Sequence, residues 1–221
     1  MKLVYPDIET HLVFEEGSFP ALIIENQNLF FNFIDDISRQ INSESGNAVL
    51  SSDNTPIPIS GNIDLLTDFF SFEINRKNLL TKIIADLEKH AVAEDFLETG
   101  QQLLGKVEKW VIDLAFCADI EVDLPKLSIS SLLKSTGLCI KDDFVSLPEK
   151  LLTYIDLATR YKLCQIFVFV NLRSFLDYDT ISQFTESCCL HGHKILLLDN
   201  CAYPRIYREQ RTIIDTDLCE I

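Results

Sequence analysis

Two near-continuous apolar runs constrain this chain more than any other feature: residues 165–170, Gln-Ile-Phe-Val-Phe-Val, and residues 194–198, Lys-Ile-Leu-Leu-Leu. A strand with one wet face alternates apolar and polar side chains, whereas a strand covered on both faces has no need to. The runs therefore predict strands of a parallel sheet with a layer on each side. Parallel neighbours require a crossover, and residues 177–190 supply a helical one. The expected fold is α/β with a mostly parallel sheet.

The N-terminal part fits the same plan. Residues 11–14 and 20–25 read as strands with Gly17 in the turn between them. Residues 28–41 place Leu29, Phe30, Phe33, Ile34 and Ile37 on one helical face. After a loop at 43–47, residues 48–50 and 57–59 read as short strands, and Pro56 and Pro58 suit a sheet edge.

The middle differs. From 76 to about 118 the apolar residues recur at three- and four-residue spacing, first as Leu79, Leu80, Ile83, Ile84, Leu87 and Ala91, then as Leu103, Leu104, Val107, Trp110, Val111, Leu114 and Ala115. Asn75 is placed to cap the first stretch. Gly100 offers a break, giving two long helices or one bent one. Helices of this length exceed the usual three or four turns. They suggest a projecting arm whose stripe is buried against another arm or another subunit. A short helix at 127–135, stopped by Gly137, and another at 147–162, with Pro148 just inside its start, follow. The expected organisation is an α/β head from residues 1–62 and 163–221, with a helical arm from 63–162.

A chain of 221 residues with 47% hydrophobic content can bury a sizeable core. No apolar run reaches the eighteen or so residues a membrane span needs, and residues 1–7 carry no signal-peptide apolar region. A cytoplasmic location without membrane partners is expected. Seven cysteines in no regular framework fit a reducing compartment.

Chemistry is sparse. A phosphate-cradling G-x-x-x-x-G-K-[ST] is missing, so ATP binding and hydrolysis are not expected. Asp199 then reads as a strand-end residue rather than a magnesium ligand. Cys188-Cys189-Leu190-His191-Gly192-His193 groups soft ligands, but adjacent cysteines do not readily share one tetrahedral metal, and here they suit a core. Asp119, Glu121 and Asp123 form the sharpest polar cluster. Pro125 favours extended backbone there, which would align the three carboxylates on one side as hard ligands suited to calcium. The competing reading is a solvated acidic loop.

Net charge is −15, which on its face argues against nucleic acid. The distribution softens this. Residues 1–59 carry two Lys/Arg against nine Asp/Glu, whereas residues 126–162 carry six against four. The candidate phosphate contacts are Lys126, Lys134, Lys141 and Lys150 in that cation-rich stretch, with Arg76, Lys77 and Lys82 on the first long helix.

The wording of several segments narrows the reading. Leu66-Thr67-Asp68, Phe72-Glu73-Ile74-Asn75 and Asp86-Leu87-Glu88 come first. Leu132-Leu133-Lys134-Ser135-Thr136-Gly137 follows. The last group is Ile166-Phe167-Val168-Phe169-Val170-Asn171, Phe175-Leu176 and Ile195-Leu196-Leu197-Leu198-Asp199. In this order they resemble the short DNA-binding adaptation proteins of type II-A CRISPR systems. The resemblance implies an ATPase-like (P-loop-type) head without a nucleotide site. It also implies a non-catalytic homotetrameric ring whose lysine-lined hole threads linear double-stranded DNA during spacer acquisition, in antiviral defence. Lys134, inside a matched segment, is the foremost DNA contact.

The resemblance further implies calcium around Asp119, Glu121 and Asp123, and as partners the CRISPR integrase pair and the RNA-guided effector nuclease. The chain departs from the family at Leu114, Ala115, Phe116 and Cys117, where further acidic ligands are replaced. Two other functions compete: a metal-dependent nuclease or degenerate NTPase, and an acidic protein-interaction scaffold.

Overall fold

The computed structural model describes the chain from Met1 to Ile221 apart from the side chains of Glu94 and Asp95. The chain divides into an α/β unit, Met1–Phe72 with Asp143–Ile221, and a helical unit, Glu73–Asp142. Six α-helices lie among the described residues.

The α/β unit is built on a five-stranded, wholly parallel sheet. Its members are β3 (Phe19–Ile24), β6 (Ile63–Leu66), β7 (Ile166–Val170), β8 (Lys194–Asp199) and β9 (Glu209–Ile214), in the order β6-β7-β8-β3-β9. The apolar runs account for its centre. Every residue of β3 and β7 is buried, and so is β8 from Ile195 onward, as expected of strands covered on both faces. The crossover from β7 to β8 is α6 (Tyr178–Leu190), with Asp177 as its N-cap: the Asp177 carboxylate accepts from Thr180 N at 2.8 Å. β9 is an edge strand with a polar start, Glu-Gln-Arg-Thr, and it carries no periodic signal that would expose it in the sequence.

A second, antiparallel sheet has the order β2-β1-β4-β5, from Lys2–Val4, Leu12–Val13, Val49–Ser52 and Thr55–Ile57. Asp53 and Asn54 both adopt positive φ in the tight turn between β4 and β5, the geometry of a two-residue hairpin loop. Pro56 sits on the edge strand, where its missing N–H costs least.

Helix α1 (Gln27–Ile41) turns Leu29, Phe33 and Ile37 into the core. The same face carries Asp36, whose buried carboxylate accepts the backbone N–H groups of Asn47 and Ala48 at 2.8 and 2.9 Å. Gly46 completes that grip. A Cβ there would stand 2.5 Å from Gln40 and 2.7 Å from the Asp36 carboxylate, so only glycine passes. Helix α5 (Leu147–Arg160) begins with Pro148 in its first turn and Ser146 as its cap. It buries Tyr154, whose hydroxyl donates to Asp64 of β6 at 2.6 Å.

The helical unit holds α2 (Lys77–Ala91), α3 (Glu94–Cys117) and α4 (Ile129–Ser135). Two sequence expectations are corrected here. Gly100 does not interrupt the long helical stretch; the break falls at Val92–Ala93, and Gly100 lies inside α3. Asn75 does not cap α2. Arg76 occupies the cap position without capping the helix through its side chain, and Asn75 turns instead to Ile140, accepting its N–H at 2.6 Å and donating to its carbonyl at 3.0 Å. That two-point clamp, between residues 65 apart in sequence, outcompetes a local cap.

Candidate nucleic-acid interface

The helical unit positions most of the cations singled out in the sequence. Arg76 and Lys77 stand at the N-terminal end of α2, which has no acidic residue in its first turn. Cations are unfavourable beside the positive end of a helix dipole unless an anion joins them. Lys82 is exposed one turn further along α2. Lys126 is exposed in the irregular segment before α4, where Leu127 N donates to Glu108 of α3 at 3.2 Å and so holds that segment against the long helix. Lys134 is exposed in the last turn of α4, and Gly137, at φ +67, ends the helix behind it. Ser128 caps α4 by accepting from Ser131 N at 3.1 Å. Lys141 is exposed just after the Asn75–Ile140 clamp. Lys150 stands apart from these: it lies on α5 of the α/β unit, half-buried, with its ammonium 5.9 Å above the Phe72 ring.

Lys106 and Lys109 were not among the candidates drawn from the sequence. Both are exposed on α3, and their three-residue spacing, legible in advance, sets them on one side of the helix.

Asp119, Glu121 and Asp123 are all exposed in the irregular segment after α3. Asp119 takes a left-handed conformation, φ 54, and with Ile120 N bonded to Ala115 O at 3.0 Å it ends the helix rather than opening an extended edge. Among the described residues, no three His, Cys, Asp or Glu side chains come together as a cation-holding group. The three carboxylates by themselves do not fit a calcium shell, which takes six to eight oxygens.

The remaining sequence candidates are occupied internally. Asp199, the last residue of β8, is buried and accepts from Arg173 Nε at 2.8 Å. Burial pushes its carboxyl up while Arg173 opposes the shift. Arg173 also reaches both oxygens of Glu209 at 3.3 Å, and Arg211 Nε meets Glu209 at 2.6 Å, so Asp199 belongs to a buried network of two acids and two guanidinium groups, in which Asp199 Oδ1, Arg173 Nη2 and Arg211 Nη2 have no hydrogen-bond partner among the described residues. Cys188 and Cys189 are buried on α6, and burial pushes both thiols up, away from the thiolate that a metal or a nucleophile needs. His193 bonds Asp156 at 2.7 Å.

The helices also leave a large apolar surface. An apolar cavity of about 360 Å³ opens among α2, α3 and α4, lined by Leu87, Phe96, Leu103, Ile129, Leu132 and Leu133. Further along α3, Trp110 and Phe116 are 62% and 85% exposed. No described helix is long and apolar enough to cross a membrane.

The chain thus joins an α/β unit on a parallel sheet to a helical unit that carries most of the candidate cations. The sequence matches the family model of the CRISPR-associated protein Cas_Csn2 over residues 40–218. The chain belongs to that family, the type II-A CRISPR-associated proteins of spacer acquisition, and thereby to the machinery of CRISPR adaptation and antiviral defence.

Proposed function

We propose that this protein is a non-catalytic, sequence-independent binder of double-stranded DNA, acting on duplex ends during spacer acquisition. The observation that carries the reading is the division of charge between the two units. The α/β unit holds ten Lys/Arg against twenty-two Asp/Glu, and the helical unit nine against twelve. Exposed lysines contact phosphates without reading bases.

In this reading four copies close a ring, with the acidic α/β units as heads and the lysines of the helical arms lining a hole that duplex enters from its end. Focusing in such a channel outweighs net charge. The exposed apolar side chains of α3, Trp110 and Phe116 among them, offer a face for another copy. The head is ATPase-like in fold but holds no ATP. β3 passes to α1 through Glu25 and Asn26 alone, with no glycine, and Asn26 caps the helix with its own side chain, accepting from Leu29 N at 3.0 Å. A phosphate would find an acid and a filled cap there instead of free N–H groups. Calcium at Asp119, Glu121 and Asp123 would need ligands from a second segment or copy, and no step of the function is routed through it. The integrase pair and the RNA-guided effector nuclease, in the cytoplasm, are the partners this reading supplies.

The test is a gel shift on linear and covalently closed circular duplex of one sequence, with calcium or with chelator. Binding to linear DNA only is the expected outcome. Equal binding to both forms would replace the ring with an open groove. Magnesium-dependent degradation of the DNA that disappears in Asp119→Ala would replace the binder with a nuclease. No binding to either form would leave an acidic protein scaffold.

A further inference from the structure

A chain of aromatic rings runs from the core of the α/β unit to its surface. Phe184 of α6 packs edge-on against Phe169 of β7 at 5.4 Å, and Phe69 stacks on Phe169 at 6.4 Å. Phe175 meets Phe69 at 5.7 Å and Phe70 at 5.3 Å. The chain ends in the open: Phe175 is 46% exposed and Phe70 is 87% exposed. Phe70 is not a loose side chain on a floppy loop. The Asp68 carboxylate accepts the N–H groups of both Phe70 and Ser71, at 2.9 and 3.1 Å, and locks the turn that presents the ring. A pre-ordered exposed aromatic backed by a stack of buried ones is the form that interface anchors take, because little ordering entropy remains to be lost on binding.

The charge around the rings selects the partner. Asp68 precedes Phe70 by two residues, and Asp177 and Asp179 follow Phe175 by two and four. The carboxyls of Asp68 and Asp177 sit below their ordinary range, held there chiefly by the Ser71 and Thr180 backbone N–H groups, so both stay charged in mildly acidic solution. Across residues 63–72 and 171–190 the only Lys or Arg is Arg173, whose guanidinium is buried in the network with Asp199 and Glu209. Lys150 stands nearby, over the Phe72 ring. The sequence around the two rings is thus acidic; Arg205 also comes close, its carbonyl accepting from the Tyr178 hydroxyl at 3.3 Å while its guanidinium donates to Glu209 O. DNA would bring phosphates against aspartates, and the same patch of a second copy would bring acid against acid.

We propose that Phe70 and Phe175, rimmed by Asp68, Asp177 and Asp179, form a docking surface for a basic protein segment: an apolar side chain that seats on the two rings, flanked by lysines or arginines that meet the aspartates. This surface is independent of the DNA-binding reading and stands or falls without it.

Panning a random-peptide display library on the full-length protein tests it. The expected result is enrichment of peptides with an apolar residue among lysines and arginines. Their affinity should fall about tenfold or more in Phe70→Ala, and by a smaller factor that vanishes at high salt in Asp179→Lys. Phe70 is exposed, so Phe70→Ala should melt close to wild type, whereas Asp179→Lys, which replaces the acid in the first turn of α6 with a cation, should melt slightly lower. Enriched peptides that are acidic, that bind Phe70→Ala equally, or that fail to appear above background would each overturn the proposal. So would a Phe70→Ala variant that loses duplex DNA or changes its sedimentation, since the rings would then belong to the DNA channel or a self-interface. The wild-type gel shift is read separately, so failure of DNA binding does not count against the docking surface.

Discussion

Phe169 and Phe116 are the same residue in opposite surroundings. The first is fully buried in β7; the second is 85% exposed on α3. The contrast holds for the units that contain them. The α/β unit closes its own core, with β3 and β7 buried along their whole length. In the helical unit none of the described residues of α3 is buried, although the helix runs for 24 residues. One unit buries its apolar residues within itself, and the other leaves much of its apolar surface exposed.

The largest expected effect follows directly. Phe169→Ala removes a ring from the centre of the sheet and should cost about 3–5 kcal/mol in chemical denaturation. Phe116→Ser should change monomer stability by less than about 0.5 kcal/mol and instead weaken self-association in sedimentation. Comparable losses of stability in the two variants would erase the contrast. Next comes Arg173→Met, which strands Asp199 and Glu209 as buried carboxylates without their shared guanidinium and should cost about 3 kcal/mol or more. Stability equal to wild type would mean the network contributes nothing.

Function should divide the same way. Lys134→Glu in every subunit should weaken duplex binding about tenfold and flatten the log–log salt slope by about one. Lys150→Glu, on the α/β unit, should change affinity less than about twofold. The reverse ranking would move the DNA surface to the other unit.

The smallest effect concerns pH. The Glu220 carboxylate accepts from Glu9 N at 2.8 Å and Thr10 N at 3.0 Å. Burial acts to raise its pKa, but the bonds from Thr10 and Glu9 outweigh burial and hold it below the ordinary glutamate range. A depressed folded-state pKa contributes stability above the unfolded value of about 4.3, and that contribution is lost as pH falls through the folded value. Glu220→Gln should therefore be slightly less stable at neutral pH and decline less steeply on acidification below about pH 4. Parallel pH profiles would remove Glu220 from the account.

Legibility in the sequence follows the same division. β7, β8 and α6 were readable within a residue or two because burial on both faces leaves an unbroken apolar run, and a helix must join parallel neighbours. α1 was readable from its stripe. β9 was not, because an edge strand need not be apolar, and Glu209 and Arg211 serve an ion network whose other half lies near residue 173. The clamp between Asn75 and Ile140 was hidden for a related reason: nothing local says that an asparagine before a helix will prefer a partner 65 residues away. The lysines of the candidate interface could be named individually. That Lys150 belongs to the α/β unit and not to the arm came only with the fold.

The position of β3 sets a timetable for synthesis. Its two sheet neighbours are β8 and β9, so Ala21 waits for Leu197 and Ile24 for Ile214. An entirely apolar strand, it has no sheet partner on either side until synthesis has run on to Leu197 and beyond. At about 5–20 residues per second that wait lasts on the order of ten seconds or more. The sheet cannot grow outward from its middle during translation. The β3–β9 edge pairing closes last, and the nascent protein must keep Phe19–Ile24 out of reach of other chains until β8 and β9 arrive.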